Sequence, residues 1–392
     1  MFEKQVIKCM NFQKLRRGSF HMAFVIFPFA LMVLAIFEQR SLFKISVFIT
    51  AIYFACTFGY GYDWINYRDT YNLANNPSYD AFFIEPGLYI LMQGANYIGL
   101  SYGVFSFFLT LFIYFAVYKF CNKLENPSAA FFTIFSFLAY FVFTEWIRQG
   151  VAIAIILLSM GLYERGSKFK FTLMIIFASC FHLASLVAFS YLFISSKSSS
   201  RMKMFIILAS LVMYFIIASI YNPALMEGIP FIGDKFAAYS KAFLDNSVGF
   251  WQFVLSSKVI LAYILILVLL YRQSKHYKKL LSAISSIYFM LLTRLVSALV
   301  RMGYMLVPLF VLSMDEYLTD KGNGLKTKLS KLIYFCLVFG ISTIPLWNAV
   351  FWEAANSNVT IFSSDNVINR EISKKCRIIN KYYDVNVIER CR

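Results

Sequence analysis

The chain has 392 residues, of which 60% are hydrophobic and 19% aromatic while only 15% are charged, a balance that no soluble fold buries. A net charge of +17 would suggest nucleic acid in a soluble protein. Here Lys and Arg collect in short loops between apolar runs, where they fix orientation and meet anionic lipid head groups, so nucleic acid is not expected as a partner.

The first 19 residues are basic, with Lys4, Lys8, Lys14, Arg16 and Arg17. The apolar run that follows, FHMAFVIFPFALMVLAIF, lacks a small-residue cleavage motif and reads as a retained membrane segment. Such runs recur to the far end, for example KVILAYILILVLLY, and a membrane-crossing helix needs about 20 residues of this kind. Six basic clusters punctuate them: Arg40 with Lys44; Lys119 with Lys123; Arg165 with Lys168 and Lys170; Lys197 with Arg201 and Lys203; Arg272 with Lys275, Lys278 and Lys279; and Lys321 with Lys326, Lys328 and Lys331. The positive-inside rule places all six in the cytoplasm, so the chain between neighbouring clusters must leave and return.

The midpoints of those excursions then share the outer face. The first is GYDWINYRDTYNLANNPSYDAFFIEPG, with Asp63, Asp69, Asp80 and Glu85 against Arg68. TEWIRQG follows with Glu145 and Arg148, then SCFHLAS around His182, the mixed-charge loop 221–252, and TRLVSALVRMGY with Arg294 and Arg301. The stretch from Phe171 to Ile194, 24 residues, is too short for two full crossings. It predicts a re-entrant or broken hairpin, unless the SSKSSSRMK loop lies outside and the helix simply spans. The amino terminus conflicts with the scheme, because one span from Phe20 to Phe37 would put its basic residues outside; an interfacial helix or a start at Met10 or Met22 would resolve this.

The expectation is an all-α polytopic integral membrane protein of about 11 transmembrane or re-entrant helices. It divides into a basic segment 1–19, a membrane domain 20–350 with extracytoplasmic loops at 61–86 and 221–252, and a polar basic tail 351–392. Cys376 and Cys391 are placed to form a disulfide if the tail is extracytoplasmic. Cys9, Cys56, Cys121, Cys180 and Cys336 read as inert, with no CxxC among the seven cysteines, and His21, His182 and His276 lie far apart. No zinc site or redox pair is signalled, and no Asp-x-Asp element invites a divalent metal, so no cofactor is expected.

Ionisable groups inside apolar runs are costly and by default mark function. Arg148, Arg294 and Arg301 offer the planar, permanently charged fork that holds phosphate bidentately, with snorkelling as the competing reading. If the helix is unbroken, Arg294 and Arg301 share a face about 10 Å apart. Asp63, Glu85 and His182 compete as general base. Their bland counterparts are a turn-forming carboxylate, a charge at a helix start before Pro86, and a packing hydrogen bond. Glu145 stands three residues before Arg148, where it would either pair with and orient it or simply be solvated. Trp64, Tyr67, Tyr71, Trp146 and Tyr304 suit sugar stacking, although an interfacial aromatic belt is the preferred reading for most of them.

From about Phe58 to Phe310 the order of features resembles the EpsG branch of the Wzy-like polysaccharide polymerases. Gly61-Tyr62-Asp63-Trp64 followed by Tyr67 is similar to that family's G-x-D-w-x-x-Y loop, and Glu85-Pro86-Gly87 to its acidic turn. Arg148-Gln149-Gly150-Val151-Ala152 resembles its R-Q-x-x-A helix start, Phe181-His182 with Ser185 its F-H-x-s segment, and Arg301 with Tyr304 its R-x-x-Y helix. The resemblance implies a GT-C-like bundle: an integral, inverting glycosyltransferase joining undecaprenyl-diphosphate-linked oligosaccharide repeats at the outer face of the bacterial inner membrane. It would make Asp63, Glu85 and His182 catalytic and assign Arg68, Arg148, Gln149, Arg294, Arg301, Tyr67 and Tyr304 to diphosphate and sugar. Donor, acceptor and membrane lipids are the implied partners, with a chain-length regulator as a further candidate. Chemistry must choose among the bases, and Asp63 is placed first because its loop is best situated to close over an acceptor sugar. A lipid-linked oligosaccharide flippase or other transporter is the rival; it would need polar groups at several depths and an inverted repeat, neither of which the sequence displays. A membrane acyltransferase would concentrate histidines and carboxylates, and a structural partner leaves the intramembrane arginines unexplained.

Overall fold

The computed structural model describes residues 23–76, 85–194, 198–226, 257–296, 299–320, 325–357, 359–382 and 391. The basic segment 1–19, and with it His21 and Cys9, lies outside the described residues, as does most of the loop 221–252.

The described chain is almost entirely helical. Helices α1 (Ala23–Ile36) and α2 (Arg40–Cys56) lead to a short strand β1 (Thr57–Phe58), a surface helix α3 (Asp63–Leu73) and α4 (Pro86–Tyr97). Then come α5 (Tyr102–Cys121), α6 (Pro127–Leu138) running into a π-helical turn Ala139–Glu145, α7 (Ile147–Glu164), α8 (Lys168–Ser179) and a 3₁₀ segment Leu183–Leu192. Helices α9 (Ser199–Tyr221), α10 (Lys258–Gln273), α11 (Leu280–Thr293), the short α12 (Val300–Tyr304), α13 (Val307–Thr319) and α14 (Leu325–Thr343) complete the bundle. Beyond them lie α15 (Ala349–Ala354), strand β2 (Val359–Thr360) and α16 (Asp365–Tyr382).

Local chemistry sets these boundaries. Asn126 accepts from the backbone N–H of Ala129 at 3.0 Å with Pro127 at the first helical position, and Ser101 accepts from Val104 at 3.4 Å, so α6 and α5 start on satisfied donors. Among the described residues five helices are long and apolar enough to cross a membrane: α5, α6 with its π turn, α7, α9 and the stretch Thr327–Trp347 of α14 and its extension. Burial orders them. The α6 segment is buried over 89% of its apolar window and forms the centre, whereas α9 is buried over 28% and presents Met204, Ile207, Leu208, Leu211 and Phe215 outward. A soluble protein would aggregate through such a face; a bilayer solvates it.

The basic clusters gather at one end of the bundle. Ser128 donates to the carbonyl of Gln39 at 2.9 Å, Asp315 accepts from the backbone of Glu125 and Asn126 at 3.0 and 3.2 Å, and Lys279 pairs with Glu316 at 3.3 Å. Lys331 donates to the carbonyls of Leu318 and Asp320 at 2.8 and 2.5 Å, and a cavity shared by Gly166, Lys168 and Arg201 joins the third and fourth clusters. The chain is thus an all-α polytopic membrane protein. Residues 171–194 form the broken hairpin: α8 rises roughly 18 Å, and the 3₁₀ segment, at about 2.0 Å per residue, returns roughly 20 Å. The conflict at the amino terminus persists at residue 23, because Phe24 packs its ring on Tyr60 and Tyr140 at the end away from the basic loops.

The tail is tied back to the bundle. Strand β2 pairs antiparallel with β1, Thr57 opposite Thr360 and Phe58 opposite Val359. Cys376 and Cys391 are joined by a disulfide.

Candidate active site

The end opposite the basic loops is assembled from five separated segments. The carbonyl of Ala354 accepts from the N–H of Gly61 at 3.1 Å, and the Tyr62 hydroxyl donates to the carbonyl of Val350 at 3.0 Å, so the loop before α3 is pinned to α15. Gly61 holds φ +67°, and a Cβ there would meet the Glu145 side chain at 2.6 Å; only glycine lets the π turn press so close. Glu145 accepts from the N–H of Tyr62 at 3.3 Å and is buried. Across the bundle, the N–H of Gly87 donates to the carbonyl of Cys180 at 2.8 Å, joining the start of α4 to the tip of the broken hairpin.

Those ties bring Glu85, Arg148 and His182 together. Arg148 donates from Nη1 to Glu85 Oε2 at 2.6 Å, and His182 Nδ1 lies 2.6 Å from Glu85 Oε1, which also accepts from the N–H of Leu183 at 3.3 Å. Arg148 Nε donates to the Tyr67 hydroxyl at 3.4 Å, and its guanidinium lies over that ring. His182 Nε2 is buried without a hydrogen-bond partner among the described residues. Burial works to raise the Glu85 carboxyl, but the His182 hydrogen bond and the Arg148 charge outweigh it and hold the group below its usual range.

Asp63 and Arg301 form a second pair beside the first, at 3.3 Å. Asp63 and Tyr67 stand one turn apart on α3 and face the same way. Burial lifts the Asp63 carboxyl above its usual value against the pull of Arg301 and Arg148. Arg301 lies over the Trp146 ring, 4.6 Å from its centroid. Both arginines are about one-third exposed, 36% and 37%, whereas Glu85 and His182 are 10% and 12% exposed. The acceptors therefore sit behind and the guanidinium forks in front. Arg148 spends two of its donors on Glu85 and Tyr67, and Arg301 one on Asp63, which leaves both with N–H groups for an anion.

Several expectations change. Glu145 does not pair with Arg148: the π turn and the non-helical Trp146, φ −99° and ψ 61°, separate α6 from α7, so three-residue helical spacing is lost and Glu85 takes the partnership. Arg294 and Arg301 do not share an unbroken helix, because α11 ends at Thr293 and α12 starts at Val300. Arg294 instead donates to the Tyr304 hydroxyl, lies over the rings of Tyr263 and Tyr304, and opens on a cavity of about 220 Å³ with Ser136, Tyr140 and Asn348. Arg68 turns away from the cluster to Asp365 of α16, 2.9 Å distant. Gln149 is buried at 1% exposure and donates to the backbone carbonyl of Arg301 at 2.6 Å, holding that residue rather than facing the opening. Trp64, Tyr67, Tyr71 and Tyr304 are buried inside this end and form no lipid-facing belt.

Sequence reasoning missed Lys375, which is fully buried and donates to the carbonyls of Ala354 and Asn356 at 2.6 and 3.0 Å. The Lys-Lys pair in a polar tail carried no sign of it. Among the described residues no group of three or more His, Cys, Asp and Glu is placed to hold a metal ion.

A family model described as the EpsG family matches residues 40–359, from the first residue of α2 to the first of β2. No curated protein and no solved structure matches the chain.

Proposed function

The chain belongs to the EpsG family, and on that premise we propose that it is a polysaccharide polymerase: an inverting glycosyltransferase that joins polyprenyl-diphosphate-linked oligosaccharide repeats at the outer face of a bacterial cytoplasmic membrane. The observation that carries the reading is the convergence of two partly exposed arginines with a carboxylate-backed histidine at the end of the bundle remote from the basic loops.

In this reading Arg148 and Arg301 bind the donor diphosphate and stabilise the charge that develops as the anomeric C–O bond breaks. A hydroxyl of the acceptor sugar attacks the anomeric carbon from the opposite side, which inverts it, and must lose its proton. Glu85 fixes the His182 ring by accepting from Nδ1–H, leaving Nε2 with its lone pair free to take that proton. Asp63 is engaged by Arg301 and is assigned to positioning that guanidinium. This reverses the order expected from loop position, in which Asp63 came first. Arg294, in its own cavity beside the cluster, is assigned to the diphosphate or the adjoining lipid.

The test is the surface polysaccharide of cells lacking this protein. A ladder collapsed to single repeat units supports a polymerase. Complete loss of surface repeats would overturn it in favour of a lipid-linked oligosaccharide flippase.

A further inference from the structure

Helix α3 has two working faces. At about 100° per residue, Tyr67 lies roughly 40° from Asp63, whereas Arg68 and Asn72 lie roughly 140° and 180° away. The first pair faces the arginine and histidine cluster. The second pair lines a separate groove of about 440 Å³, closed on its far sides by the start of α5 and by the first turn of α16.

The chemistry of the groove is specific. Asn72, Asn96, Ser101 and Ser364 supply amide and hydroxyl groups, while Tyr71 and Tyr102 form part of its aromatic wall. Arg68 is buried and paired with Asp365 at 2.9 Å, which offsets its charge, and the polar lining is ill suited to an acyl chain. Neighbouring groups are committed: Asn96 donates to the carbonyl of Tyr71 at 2.8 Å, and the Tyr71 hydroxyl donates to the carbonyl of Leu100 at 2.7 Å. The exposed side chains of Asn72 and Ser364 have no such engagement among the described residues. Uncommitted neutral donors and acceptors over an aromatic wall match a polyhydroxylated ring, which presents hydroxyls at its edge and C–H groups on its face. The wall contributed by residues 360–368 lies beyond the segment matched by the family model.

We propose that this groove is a saccharide subsite that grips non-reacting sugars of the lipid-linked chain on the opposite face of α3 from the reacting centre. The inference rests on the polymerase reading and extends it: binding energy from remote sugars holds the growing chain between successive additions.

The test uses the purified full-length protein and, as probe, oligosaccharides released by mild acid from the surface polysaccharide of the host cell. Binding is measured by saturation-transfer NMR and titration for wild type, Asn72→Ala, Ser364→Ala and the groove-filling Ser364→Trp. Both serine and asparagine are exposed, and thermal unfolding of each variant checks the fold. Each alanine variant is expected to weaken binding by up to about tenfold, and Ser364→Trp to abolish it. In cells the same variants should shorten the ladder while still joining two repeats. Wild-type affinity and ladder length in folded Ser364→Trp would overturn the subsite. Binding lost in the variants from a protein whose wild type makes no ladder would keep the subsite and overturn the polymerase reading. Competition by inorganic pyrophosphate that disappears in Asn72→Ala would overturn the saccharide assignment in favour of an anion site.

Discussion

At the scale of single residues, the arrangement separates groups that hold charge from a group that moves a proton. Arg148→Lys and Arg301→Lys are expected to lose most polymerisation, because an ammonium keeps the charge but cannot reproduce the planar fork on a diphosphate; ladders at matched protein level report this, and wild-type ladders would leave the arginines as snorkelling residues. His182→Gln should lower kcat by about 10²- to 10⁴-fold, the usual contribution of a general base, while Asp63→Asn should act mainly through donor binding and raise KM. The opposite split would return the base to Asp63. A pH dependence follows from Glu85. Its carboxyl is held low in the folded protein, so the native state binds fewer protons than the unfolded chain across the acidic range, and stability from this group rises with pH. That contribution is complete above the usual carboxylate pKa of about 4.3 and is lost as pH falls through the folded value. The difference in melting temperature between wild type and Glu85→Gln should therefore shrink on acidification from about pH 6 to 3. The residue types of this site were legible in the sequence because ionisable groups stand out in apolar runs. Their pairings were not, since Glu85 reaches His182 across 97 residues and Arg148 across 63.

At the scale of elements, the π turn between α6 and α7 positions the most. It leaves no periodic signature, so the sequence motif around Gly150 reads simply as a helix start. The structure explains that glycine: a Cβ there would meet the carbonyl oxygen of Val142 and the Ile113 side chain, both at 2.8 Å. The backbone oxygen cannot yield cheaply. Gly150→Ala is expected to force the π turn away from α7 and cost about 1–3 kcal/mol, read as a lower melting temperature together with reduced activity through a displaced Arg148. Helix α16 was equally hidden, because its buried face, Ile368, Ile372 and Ile379, is interrupted by Lys375 and lies in a segment whose overall composition is polar and basic. Burial opposes charge on Lys375 and lowers it to about 7. Between that value and the ordinary one of about 10.4, the unfolded chain carries the extra proton. Docking of α16 should then strengthen as pH rises from about 7 toward 10. Protection of the tail from protease across that range measures it, and Lys375→Met should remove the dependence.

At the scale of the whole molecule, charge asymmetry organises everything else. Four of the six loops rich in Lys and Arg are held together at one end by Gln39, Asp315, Glu316 and Asp320 contacts, and the candidate site residues lie toward the other end. This much was legible from spacing alone, because each excursion between basic loops must return to the same side. What spacing could not reveal is that the chain after α14 folds back over the site end, through a two-residue strand pair, the Arg68–Asp365 bridge and a helix closed by the Cys376–Cys391 disulfide. A disulfide belongs to an oxidising compartment, so the orientation expected from the basic loops is one in which this bond would also be retained. The decisive measurement is labelling of intact cells with a membrane-impermeant thiol reagent, after replacing every cysteine outside the disulfide: Cys9, Cys56, Cys121, Cys180 and Cys336. A single cysteine at Asn75, beside the end of α3, should react from outside, and one at Ser274, in the basic loop after α10, should react only after lysis. Reaction at Ser274 and not at Asn75 would invert the protein, expose its site to the cytoplasm, and sink the assignment of the outer-face chemistry in one step.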